Sequence, residues 1–184
     1  MTDLKHCDVL GFETDTVWGL GCLPNDKTAV EKIYEIKGRD KTKPLILMSN
    51  CVENLIPYVL KVPDYAKTLI DEYFPGALTL IFKKTSLAPD FITSGQDTVG
   101  IRVPNHKEFS ELCKNIEGGV LATTSLNRSN EPPVADYNEA VEKFGTQIKI
   151  LKPENPCNIG VSSTVVLCTG DKPVILRQGS IHIK

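Results

Sequence analysis

DVLGFETDTVWGLGCLPNDKTAVEKIYEIKGRDKTKPLILM, residues 8–48, changes its period four times. Residues 8–12 are a run of strand length. ETDTVWGLGC reads as a polar, glycine-bearing turn. From 27 to 37 the apolar positions Ala29, Val30, Ile33, Tyr34 and Ile36 recur mainly at helical spacing. Gly38 and Pro44 then bracket a basic loop, and PLILM (44–48) returns to strand length. A strand, a helix and a strand within 41 residues point to an α/β or α+β domain.

The rest of the chain continues this alternation. Residues 52–60 and 64–73 are expected as short helices, with Pro63 suited to the first turn of the second. ALTLIF (77–82) and TVGIRV (98–103) read as strands, 106–116 as a helix, GVLATTS (119–125) as a strand and 137–144 as a helix. QIKIL, STVVLC and PVILRQG read as three closing strands. No repeat or low-complexity stretch breaks the order, so a single domain over 1–184 with a twisted mixed sheet flanked by helices is expected.

Composition narrows the function. The 184 residues are 41% apolar and 24% charged, with a formal charge of -2, which gives no general attraction to nucleic acid. The six cysteines include no CxxC pair, and the three histidines are scattered, so free thiols in a reducing compartment are expected rather than a zinc site. No run is long enough to cross a bilayer, and a cytoplasmic location without membrane partners follows as the expectation.

Arginine is the informative residue. Only Arg39, Arg102, Arg128 and Arg177 appear among 21 basic residues. Arg102 and Arg177 sit inside apolar strands, where a charge needs a partner or a ligand. An internal salt bridge or an outward-facing position satisfies the same pattern. Lys37, Arg39, Lys41 and Lys43 put four cations in seven residues, a candidate triphosphate site or a solvated loop. The loop lacks GxxxxGK[ST], so no P-loop is present. Thr14 and Thr16 after the first strand, Thr123 to Asn127, and Ser163-Thr164 place hydroxyls at strand ends, where α/β folds bind ligands. Each also suits a turn or cap; together with the strand arginines they point to a pocket. GxSxG is absent, and His106 reads as a helix start rather than a catalytic base. Glu13 and Asp15 serve equally as metal ligands or turn residues, and Trp18 as a packing or base-stacking ring.

Taken in order, FETDTVWGLGC, KIYEIKGRDKTKPLILM, FPGALTLIF, TVGIRVPNH, ATTSLNRSNEPP, SSTVV and ILRQG resemble the blocks of the YrdC-type threonylcarbamoyl-AMP synthases, from about residue 9 to 180. The resemblance implies a synthase joining L-threonine, bicarbonate and ATP, with Mg2+ carried on the phosphates rather than held by a side chain. Its products are threonylcarbamoyl-AMP and pyrophosphate, and the first feeds N6-threonylcarbamoyladenosine formation in tRNAs that read ANN codons. Carried onto this chain, Lys37, Arg39, Ser125 and Asn127 are the catalytic, ATP-side tetrad, with Thr98 and Arg177 as further ATP contacts. Thr14, Thr16, Arg102, Thr123 and Ser163 surround threonine, with the planar fork of Arg102 on its carboxylate. The 38–43 loop is a candidate lid.

The chain departs from the family pattern at several places. Glu13 stands for the usual proline, Met48 for a frequent histidine, Asn130 for a glycine and Ser162 for a proline, and Leu167 lies near a frequent aspartate. The usual first helix is expected to be truncated. The C-terminal domain of longer relatives has no counterpart, so transfer to tRNA is expected to need separate proteins. The alternatives are an RNA- or tRNA-binding module of the same fold and a paralogue acting on another small substrate. A carbamoyl-transfer domain of the hydrogenase-maturation type is disfavoured, because its zinc-finger-like and acylphosphatase modules are absent.

Overall fold

The computed structural model describes residues 8–183. In chain order the elements are β1 (Leu10–Phe12), β2 (Gly19–Cys22), α1 (Lys27–Lys37), β3 (Ile46–Ser49), α2 (Asp64–Tyr73), β4 (Leu78–Lys83) and α3 (Asp90–Thr93). They continue as β5 (Thr98–Arg102), α4 (Lys107–Lys114), β6 (Val120–Ser125), α5 (Tyr137–Phe144), β7 (Lys149–Ile150), β8 (Thr164–Leu167) and β9 (Val174–Arg177). The strands form one mixed sheet in the order β7-β1-β2-β6-β3-β5-β4-β8-β9. β3 runs parallel to β5 and β4 parallel to β8, while β6 is antiparallel to both β2 and β3.

Alternation along the strands divides the sheet into two faces. Leu20, Leu47, Leu80, Ile101, Ala122 and Val166 enter the larger core with α1, Ile92 of α3 and Phe144 of α5. Leu10, Phe12, Met48 and Leu121 point the other way and pack on Phe109, Leu112 and Cys113 of α4. α4 is short, so it covers only part of this second face. The remainder carries Arg102, Thr79, Thr123 and Ser125 and forms the wall of a cleft.

Two expectations are corrected. The ETDTVWGLGC turn ends at Trp18, and GLGC is strand β2, paired with both β1 and β6. Its glycines answer a close approach: a Cβ at Gly19 would lie 2.6 Å from the Phe12 ring. The helix expected over 52–60 is only a single 3-10 turn at Ile56–Tyr58. Pro57 removes a backbone donor there and steers the residue before it away from helix. The short helix α3 was not anticipated.

Other readings hold. His106 is the N-cap of α4, its ring accepting from the Phe109 amide. Trp18 is fully buried in the larger core. Asn130 takes φ 69, the left-handed conformation that asparagine tolerates in place of glycine. Cys22, Cys51, Cys113, Cys157 and Cys168 are all free. The first helix expected to be truncated would involve residues 1–7, outside the described residues. No helix among the described residues is long and apolar enough to cross a membrane.

Leu80 is fully buried at mid-sheet and Leu60 is 66% exposed. Leu80→Ala is expected to lower the unfolding free energy by about 2–5 kcal/mol, and Leu60→Ala to change it by no more than about 0.5 kcal/mol. Urea titration of both variants checks the difference.

Candidate functional site

The cleft lies on the second face of the sheet, beside the part that α4 covers. Its floor comes from β3, β4, β5 and β6. Gly100 of β5 keeps that floor open, since a Cβ there would come within 2.8 Å of Ile46. The cleft is open to solvent and holds about 200 Å³. Three of the four arginines, Arg39, Arg102 and Arg177, line it, with Thr16, Thr79, Thr123, Ser125 and Ser163 and with no Asp or Glu among the lining residues.

Arg102 ends β5 and is 2% exposed. Its Nε donates to the Gly76 carbonyl at 3.0 Å, Nη1 to Thr16 Oγ1 at 2.7 Å and Nη2 to Asp15 Oδ1 at 2.5 Å. A guanidinium has five N–H donors, so two remain for a ligand. Burial pushes the Arg102 pKa down, Asp15 pulls it back up, and the positive charge of Arg177 pushes it down again. The two guanidinium groups therefore repel each other across the cleft.

Lys37 and Arg39 owe their positions to the end of α1. Asp26 caps its start by accepting from the Ala29 amide. Gly38 ends it at φ 56 in the left-handed conformation, with the Arg39 amide returning to the Tyr34 carbonyl at 3.0 Å. Lys37 is thereby buried, and its Nζ donates to the Ser125 carbonyl and, at 2.9 Å each, to the carbonyl and Oδ1 of Asn127. Ser125 Oγ donates to the same Oδ1 at 2.5 Å. Arg39 turns to the cleft wall and donates to the carbonyls of Lys43 and Pro44. This folds the 38–43 loop onto its own base. Burial and, secondarily, the Arg39 charge push the Lys37 pKa down to about 7.

The structure thus joins Lys37, Ser125 and Asn127 in one network, with Ser125 and Arg39 on the cleft. Arg102, Thr16, Thr123, Ser163 and Arg177 also line it. Four expected residues do not line it: Lys37 and Asn127 stand behind Ser125 in the network, and Thr14 and Thr98 lie apart. Thr14 is buried in the turn, bonding Thr16 Oγ1 and the Val17 carbonyl. Thr98 shares the cleft face of β5 but starts the strand, roughly 13 Å from Arg102 at the usual rise per residue. Thr79 was missed: its Oγ1 shares a 2.8 Å hydrogen bond with Ser163 Oγ, and Arg177 donates to the Ser163 carbonyl. A threonine amid the apolar ALTLIF run was the available signal. Met48, at the frequent histidine position, also lines the cleft.

Glu13, His106 and Cys157 bring ligand-type atoms within 4.8 Å of one another. His106 Nδ1 accepts the Phe109 amide at 3.2 Å, which leaves the ring proton on Nε2. That atom faces Glu13 at 3.3 Å, so the pair is a hydrogen bond rather than a lone pair offered to a metal. Burial and then Glu13, Asp15 and Glu108 raise the Cys157 pKa, which keeps its thiol protonated.

Residues 3–179 match the Sua5_yciO_yrdC family, described as telomere recombination. The chain is 38% identical over 180 residues to the threonylcarbamoyl-AMP synthase of Bacillus subtilis strain 168, covering 97% of this chain and 51% of that protein. The structure of Pyrococcus abyssi Sua5 complexed with L-threonine aligns with TM-score 0.88 and 35% identity, over 94% of this chain and 51% of that one. E. coli YciO aligns with TM-score 0.86 and 27% identity, over 96% and 85%. The chain therefore spans about half the length of the first relatives it matches.

Folded Lys37 titrates near pH 7, whereas the unfolded side chain keeps its proton to about 10.5. Between those values the unfolded chain binds the extra proton, so rising pH favours the fold. The wild type is expected to gain stability relative to Lys37→Met between pH 6.5 and 8.5, read from urea midpoints. An unchanged difference would contradict the burial of this charge.

Proposed function

The chain belongs to the Sua5/YciO/YrdC family, and we propose that its cleft takes L-threonine, bicarbonate and Mg2+-bound ATP and forms threonylcarbamoyl-AMP and pyrophosphate. The observation that carries this reading is a cleft with three arginines and no acidic lining residue. Such a cleft is built for a ligand with several negative charges, and an anion would relieve the repulsion between Arg102 and Arg177. ATP and an amino-acid carboxylate together supply those charges. The threonine-bound Pyrococcus relative supports threonine as the second ligand.

The residues divide the work by position. Arg102, held in plane by Asp15, Thr16 and Gly76, offers its two free donors to the threonine carboxylate. The neutral threonine amine attacks bicarbonate with loss of water, or the CO2 derived from it with release of a proton to solvent, giving the N-carboxylate. A carboxylate oxygen then attacks the α-phosphorus of ATP, the bond to the β-phosphate oxygen breaks, and pyrophosphate leaves. Arg39 and Arg177 neutralise phosphate charge. Lys37 fixes the 125–127 turn, so that Ser125 meets the nucleotide side. Mg2+ enters on the phosphates as part of the substrate, since the lining offers hydroxyls but no carboxylate to hold it. The product is a labile adenylate, so a separate tRNA-modifying protein would consume it.

Pyrophosphate release from ATP tests this directly. It is expected to require both L-threonine and bicarbonate. Arg39→Ala should cut it by roughly 100-fold. Arg102→Lys, which keeps the charge but loses the fork, should raise the threonine KM by about tenfold and leave the ATP KM near wild type. Arg128→Ala, outside the cleft, should be neutral. Release without threonine, or none in protein that binds ATP, would point to another substrate. RNA affinity that falls steeply with salt, without ATP binding, would move the reading to an RNA-binding module.

A further inference from the structure

Glu13, in the turn after β1, is 4% exposed. It accepts three hydrogen bonds, from two segments. His106 Nε2 reaches Oε2 at 3.3 Å from the start of α4. The Cys157 amide reaches the same oxygen at 3.1 Å, and Asn158 Nδ2 reaches Oε1 at 2.5 Å. The orientation of the His106 bond is fixed, because Nδ1 is occupied as the cap of α4.

Cys157 and Asn158 begin a strap, residues 156–162, that crosses the turn after β1. Its next two amides continue the lacing: Ile159 to the Asp15 carbonyl at 3.3 Å and Gly160 to the Thr16 carbonyl at 2.8 Å. The strap then delivers Ser162 and Ser163 to the cleft wall, on the side of Arg102 and Thr16. Its apolar side chains do not hold it down, since Ile159 is 55% and Val161 47% exposed. Hydrogen bonds hold it, and Glu13 accepts two of them from a buried position where a lost partner is costly.

We propose that Glu13 is a positioning residue that clasps the 156–162 strap over the amino-acid side of the cleft. It touches no substrate. It sets the strap against Asp15 and Thr16, the residues that orient Arg102, and so governs how closely the amino acid is enclosed. The proposal rests on the threonine reading only for its kinetic consequence; the clasp itself is a statement about the strap.

Amide hydrogen exchange of the free protein tests the clasp without substrate. Glu13→Ala is expected to speed exchange at the Cys157, Ile159 and Gly160 amides by about tenfold or more, with β4 and β5 unchanged, because the strap then rests mainly on its two backbone bonds to Asp15 and Thr16. Glu13→Gln, which keeps one acceptor oxygen, should restore most of the protection. In turnover, Glu13→Ala should raise the threonine KM by about tenfold, with the ATP KM within about twofold. Strap exchange and threonine KM at wild-type values would overturn the proposal. Faster exchange spread equally through the sheet would also overturn it, making Glu13 a general stabilising residue. If the wild type shows no threonine-dependent turnover, the functional reading fails and the exchange contrast alone decides the clasp.

Discussion

A buried guanidinium must be paired, and the pairing of Arg102 organises this molecule. Desolvating a charge costs several kcal/mol unless partners replace water. Asp15, Thr16 and the Gly76 carbonyl do so, and they come from the turn after β1 and the entry to β4. Arg102 therefore ties together segments far apart in sequence, and the strap is laced to the same turn. Because the partners occupy only three of five donors, the requirement that stabilises the fold leaves two N–H groups on a guanidinium that lines the cleft.

The cleft exists because the second face of the sheet is unevenly covered. α4 has eight residues and buries Phe109, Leu112 and Cys113 against β1, β3 and β6. Beyond it the same face changes character along β6, from Leu121 to Thr123 and Ser125, and Thr79 of β4 adds a further hydroxyl to it. Small residues at Gly19 and Gly21 let Phe12 approach, and Gly100 leaves room for Ile46 on the cleft floor. One face thus serves both as core and as site, and the transition is written in side-chain size and polarity.

Much of this was legible in the sequence because it is local. The period of α1, its basic end, and the arginines set in apolar strands are all readable from neighbours in the chain. Strand β2 was not, because glycine weakens the strand signal and its reason for being there is a ring packed from Phe12. The 52–60 segment carried enough apolar residues for a helix, but Pro57 limits it to one turn. At the site, Arg102 and Arg177 were readable as charges in apolar strands and Ser125 as a hydroxyl at a strand end, whereas the role of Arg39, in a basic loop, came from the family resemblance. Thr79 was hidden within an apolar run, and the inward turn of Thr14 depends on hydrogen bonds that spacing does not reveal. The readings of Glu13 and Asp15 as metal ligands or turn residues left out their actual partners, which lie 93 and 87 positions away.

The central claim is that Arg102, in a pre-set orientation, selects the carboxylate of an amino acid. Calorimetric titration of L-threonine against L-threoninol, which replaces the carboxylate with an alcohol, tests it most directly. Binding of L-threonine, with L-threoninol weaker by about 100-fold or more, is the predicted result, since a charge-assisted bidentate pair is lost. Equal affinity for the two would contradict it and remove Arg102 from recognition of the substrate.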